Sequence, residues 1–164
     1  MAKVKFSESL SGGVHKWFKE LEGKWKGTAR TWFEPGKLAD ESPVEGTIRS
    51  VLGGRFIVHE YTGSIDGKPL EGIAIYGYDC MTGRYQSAWV DSFHMGTAIM
   101  LSESKMSSPK ADMMGYYNVN EAGTDPWGWR SELSLEGEQL ILTSYNVTPD
   151  GEEAKATEIV YERA

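Results

Sequence analysis

The feature that most constrains this chain is a change of hydrophobic period at Gly23. Before it, Val14, Trp17, Phe18 and Leu21 recur at i, i+3, i+4 and i+7, which lays one apolar stripe along a helix. Ser11 is placed as the N-cap of that helix and Gly23 as its stop. Beyond Gly23 the period becomes two. Turn-forming residues then arrive at short intervals: Pro35-Gly36, Gly53-Gly54, Asp66-Gly67, Thr82-Gly83, Ser108-Pro109, Gly123, Glu136-Gly137 and Asp150-Gly151. This punctuation predicts strands over 24–34, 44–52, 55–65, 68–79, 84–93, 95–106, 110–120, 126–135, 139–148 and 153–162. Short loops between successive strands favour an up-and-down meander, and a sheet of this many strands removes its bare edges by closing. The predicted fold is all-β: a single antiparallel up-and-down barrel of about ten strands, with one short N-terminal helix closing one end. Residues 1–10 read as a tail, residues 11–164 as the barrel domain, and Asp40-Glu41-Ser42-Pro43 as a loop before the second strand.

Charge and motif content narrow the function classes. The chain carries 17 basic and 24 acidic residues, net −7, with no basic run, so its field repels phosphate backbones and argues against nucleic acid as a partner. Met1 to Ser9 lacks an apolar segment, and no stretch is long and apolar enough to span a bilayer, which predicts a cytoplasmic protein without a membrane partner. Cys80 is the only cysteine, so no internal disulfide forms; it falls in a turn and reads as incidental, with a reactive thiol as the alternative. The three histidines, His15, His59 and His94, form no metal-binding pair, and no nucleophile elbow, Walker loop or dinucleotide fingerprint is present. Nothing calls for a cofactor or a metal.

Trp25 lies just past the helix stop, where a strand leaving the closed end points a large ring into the barrel floor. Gly23 lets the chain turn there, and Arg163 reaches the ring if first and last strands pair. This Gly23-Lys24-Trp25 element with its distant Arg163 resembles the G-x-W closure of the lipocalin superfamily, implying a lipocalin-like barrel. A second resemblance lies in Val51-Leu52-Gly53-Gly54-Arg55-Phe56, Glu60-Tyr61-Thr62-Gly63, Glu71-Gly72-Ile73, Gly77-Tyr78-Asp79 and Glu158-Ile159-Val160-Tyr161-Glu162-Arg163. These blocks resemble the bacterial domain-of-unknown-function family 1579 over nearly the whole chain, from His15 to Arg163. That resemblance implies the fold and brings no biochemical role.

Most of those blocks read as architecture. Gly53-Gly54 makes a tight hairpin, Ile57, His59 and Tyr61 share one strand face, Gly72 and Gly77 mark bending or close backbone approach, and Asp79 accepts turn N–H groups. The lumen is where a ligand is expected. Its candidate lining is Tyr85, Trp89 and Asp91 on the fifth strand, His94 after it, Trp127 and Trp129 on the eighth, and Met100 and Met113 from a methionine group that includes Met95, Met106 and Met114. Four functions stay open: a non-catalytic binder of a small apolar molecule, the preferred one; a haem-binding barrel using His59 or His94; an enzyme with Asp91 and His94 as an acid-base pair; and a structural protein with a filled barrel. The C-terminal Tyr161-Glu162-Arg163 reverses the Arg-x-Tyr element of fatty-acid carriers, which argues against that ligand class.

Overall fold

A computed structural model describes residues 3–118, 122–123 and 125–164. Ten antiparallel strands close into one ring in chain order: β1 (Gly23–Glu34), β2 (Lys37–Val51), β3 (Phe56–Ile65), β4 (Lys68–Asp79), β5 (Arg84–Asp91), β6 (Met100–Glu103), β7 (Ala111–Tyr117), β8 (Trp127–Glu136), β9 (Gln139–Val147) and β10 (Glu153–Arg163). The ring closes where β10 returns to β1, with Trp25 opposite Arg163 and Thr31 opposite Thr157. Side chains alternate in and out along each strand, so Ile57, His59 and Tyr61 face inward together, as the two-residue period requires.

One end is covered by two short helices rather than one, α1 (Phe6–Gly12) and α2 (Val14–Glu20). Gly13 breaks them apart in an extended conformation, and a Cβ there would stand 2.9 Å from the Ser9 Cα. Ser11 is therefore not an N-cap. It sits inside α1 with its hydroxyl donating to Glu8 O, while the Lys5 N–H at the true start donates to the Glu8 carboxylate (3.2 Å). Residues 6–10 belong to α1 rather than to a tail, and Val4 N–H is tied to Cys80 O.

Three strand boundaries also differ from the sequence reading. Asp40 to Pro43 is not a loop: it lies in β2, where Asp40 faces Thr31 and Pro43 faces Thr28. Proline is tolerated because β3 begins pairing with β2 only at Glu45, leaving one side of the earlier segment free of ladder bonds. The sixth strand shrinks from 95–106 to the four residues Met100–Glu103, and at its start the Asp91 carboxylate captures the N–H groups of Phe93 and His94 where residues 92–97 bend and turn. Gly53-Gly54 belongs to a 3-10 turn, Leu52–Gly54, whose three residues all have positive φ. The seventh predicted strand ends at Tyr117, and positions 119–120 of that prediction lie outside the described residues. No helix among the described residues is long and apolar enough to cross a membrane.

Candidate functional site

The closed end is a plug built on Trp25. Trp25 is 1% exposed, its indole N–H donates to Leu21 O (2.9 Å), and the Arg163 guanidinium lies 4.2 Å above its ring. Arg163 also donates to the carbonyls of Glu20 and Glu22, capping the end of α2. Gly23 has φ +136°, a conformation that calls for glycine, and a Cβ there would also displace the tip of the Arg163 side chain, 2.7 Å away. Phe18, Leu21 and Tyr85 pack beside this plug. Tyr85 thus belongs to the floor, edge-on to Trp17, Phe18 and Tyr78, and does not line the open lumen.

Above the plug the interior narrows to a cavity of about 70 Å³. Trp89, Met100, Met113 and Trp129 line it, joined by His59, Tyr61, Tyr76 and the hydroxyls of Ser87, Ser102 and Thr157. Trp89 and Trp129 stack at 5.5 Å, and the Trp89 indole donates to the Tyr61 hydroxyl (2.9 Å). His59 stacks on Tyr61 at 4.8 Å, and its Nε2 lies 2.9 Å from the Tyr161 hydroxyl. Two glycines make room for these rings. A Cβ at Gly46 would stand 2.4 Å from the Tyr161 hydroxyl, and one at Gly72 would stand 2.2 Å from that of Tyr61. Close approach is thus the reason for glycine at Gly72, and at Gly77 as well, where the Phe56 ring lies within 3.0 Å.

Apart from Glu132, whose carboxylate is paired with Arg130, the groups lining the cavity are uncharged. Burial pushes the His59 imidazole down to about 4 and the Tyr76 phenol up to about 12, and it raises Tyr61 and Tyr161 strongly. No Lys or Arg lines it. His59 Nδ1 is buried without a hydrogen-bond partner, an exception to the rule that buried polar atoms are paired.

Asp91 and His94 meet beyond this layer. The His94 Nδ1 bonds to the Asp91 carboxylate, whose other oxygen accepts the His94 and Phe93 N–H groups at 2.6 and 3.0 Å. Burial alone would raise the Asp91 carboxyl, but its hydrogen bonds and the His94 charge outweigh that and hold it below the usual range. The His94 ring packs against Trp89 and Trp129.

The remaining candidates disperse. Trp127 sits near Tyr117, whose hydroxyl donates to Asn146, and is not part of the cavity wall. Met106 is half exposed in a loop, Met95 lies in the turn after β5, and Met114 points outward beside Tyr116. Cys80 lies 4.0 Å from His15, which bonds to the Ser9 hydroxyl, and burial raises its thiol away from the reactive thiolate form. Among the described residues no group of three His, Cys, Asp or Glu side chains is placed to hold a metal. The sequence reading missed Tyr76 and the His59–Tyr161 pair. The only signal for the pair was the closure register, which brings Tyr161 opposite Gly27.

The family model described as "Protein of unknown function (DUF1579)" matches residues 11–163, a span that contains every strand. The chain belongs to this family. Its closed ten-stranded ring gives this DUF1579 protein a lipocalin-like barrel. No curated protein matches the chain. Within this DUF1579 chain, Tyr61, Gly72 and Tyr161 fall in the blocks singled out above, and all three shape the wall around His59.

Proposed function

We propose that this DUF1579 barrel is a non-catalytic binder that holds a small neutral molecule in its lumen. The observation that carries the reading is the unpartnered His59 Nδ1, buried among residues that line a cavity. A polar atom left unpaired in the interior costs roughly 1–3 kcal/mol, a cost that a bound ligand removes. The wall combines stacked indoles with several hydroxyls, so the ligand is polar as well as compact, rather than the purely apolar molecule that the aromatic and methionine content implied.

Volume sets the scale. An apolar cavity of roughly 150 Å³ admits benzene, and drug-sized ligands occupy roughly 300–1,000 Å³. At about 70 Å³ this space suits a handful of heavy atoms. A haem macrocycle does not fit it. Native mass spectrometry of protein purified without denaturant tests the reading: a discrete small adduct that disappears on acid unfolding is expected. Absence of any adduct, together with no change in tryptophan emission across a panel of small polar molecules, would sink it.

A second reading rests on Asp91 and His94. A buried carboxylate holding Nδ1 of an imidazole leaves Nε2 as a proton acceptor, the arrangement of an acid-base pair. Asp91→Asn is expected to abolish any turnover found by substrate screening, and retention of that turnover removes this reading.

A further inference from the structure

Hydrogen-bond accounting around His59 assigns a polarity to the lumen, an inference that rests on the binding function proposed above. At neutral pH the buried imidazole is uncharged and carries one N–H. Two arrangements are open. If Nε2 held the proton it would donate to the Tyr161 oxygen, stranding both the Tyr161 O–H and the bare Nδ1, because Tyr161 is hydrogen-bonded to His59 alone among the described residues. If Tyr161 donates its O–H to Nε2, the proton rests on Nδ1, and that N–H and the Tyr161 oxygen as acceptor are stranded. The count is even, and acidity decides: a phenol O–H is a stronger acid than a neutral imidazole N–H, and an imidazole nitrogen is a stronger base than a phenol oxygen, so the second arrangement prevails.

The orphan at His59 is therefore a donor. Tyr76 lines the same cavity, keeps its proton because burial raises its phenol, and makes no hydrogen bond to any described residue. Strand register sets it one inward position from His59, since Ile57 faces Tyr76 and His59 faces Ala74 on the neighbouring strand. We infer that the lumen takes a small neutral molecule bearing a carbonyl-type acceptor, seated on the His59 Nδ1–H and the Tyr76 O–H. Carboxylates are rejected because no Lys or Arg lines the wall and Glu132 is its one acidic residue, so a buried anion meets no counter-charge. Hydrocarbons of the same size are rejected because they leave both donors unpaired. The discrimination resembles that of any site built to hydrogen-bond one group, which refuses the analogue lacking it by large factors.

Histidine-selective nitrogen NMR on the whole protein, with acetone, acetate and isobutane as probes of similar size, tests this. The expected result is a protonated Nδ1 and a bare Nε2 on His59 before any addition. Acetone then shifts the Nδ1 signal and binds at least tenfold more tightly than acetate or isobutane. Tyr76→Phe keeps the fold, checked by its thermal melt, and weakens acetone several-fold. A bare Nδ1, or acetate or isobutane binding as well as acetone, overturns the assigned ligand class while leaving the lumen as a binding site. If none of the three moves His59, the lumenal binding function fails and this inference with it.

Discussion

The plug around Trp25 and the layer around His59 are built from the same materials, an aromatic ring and a polar partner from β10, yet they are finished differently. At the plug the groups on the Trp25 ring are answered, the indole N–H by Leu21 and the guanidinium by two carbonyls and the ring face, although the Ser50 hydroxyl beside Glu22 has no partner. Around His59 one nitrogen and one phenol are left over. Pairing of every group on the ring marks a region whose task is to hold the barrel shut. An orphan on the wall of the cavity, as His59 Nδ1 is and the Ser50 hydroxyl is not, marks a region whose partner comes from elsewhere.

If the plug is structural, Trp25→Ala should be the most damaging change. Removing a buried indole costs about 3–5 kcal/mol, read as a lower midpoint in urea. An unchanged midpoint would break the comparison at its first term. Acid comes next. His59 protonates at about 4 in the fold against an ordinary 6.5, so the unfolded chain takes up the proton first. Its stabilising contribution is complete above pH 6.5 and is lost as pH falls towards 4, on the order of 3 kcal/mol. His15, also lowered by burial, acts in the same direction. Stability that stayed level across that window would mean that His59 is already charged or solvated. The smallest effect is the sharpest. His59→Leu strands the Tyr161 phenol and should cost about 1–3 kcal/mol, whereas His59→Leu with Tyr161→Phe removes both partners and should come within about 1 kcal/mol of wild type. The double variant should also lose the His59 share of the acid sensitivity and keep that of His15. If it is no more stable than the single variant, the pair is not the polar unit described.

How much of this was legible depended on distance along the chain. Gly23, Trp25 and Arg163 were found because they sit at the two ends of a closing sheet, where topology alone brings them together. Asp91 and His94 are legible because only two residues separate them. The His59–Tyr161 bond spans 102 residues and depends on the missing side chain at Gly46, a strand glycine with nothing local to flag it. Tyr85 and Trp127 read as lumen residues because they share strand faces with Trp89 and Trp129, whereas height along the barrel is not written in strand alternation. The turn that shortened β6 was hidden for another reason: Asp91 spends its oxygens on backbone N–H groups, and that local bonding outcompetes strand periodicity.

Closure of β10 on β1 has a consequence for the order in which this protein comes into being. While the chain is synthesised, β1 exposes an unpaired ladder edge, and His59 lacks the phenol that fixes its proton. Both wait for the last strand. Such long-range pairing is slow relative to local contacts, so the nascent barrel is at its most adhesive just before completion. Architecture and lumenal chemistry are then finished by a single event, the arrival of Tyr161 and Arg163 two residues apart on the same strand.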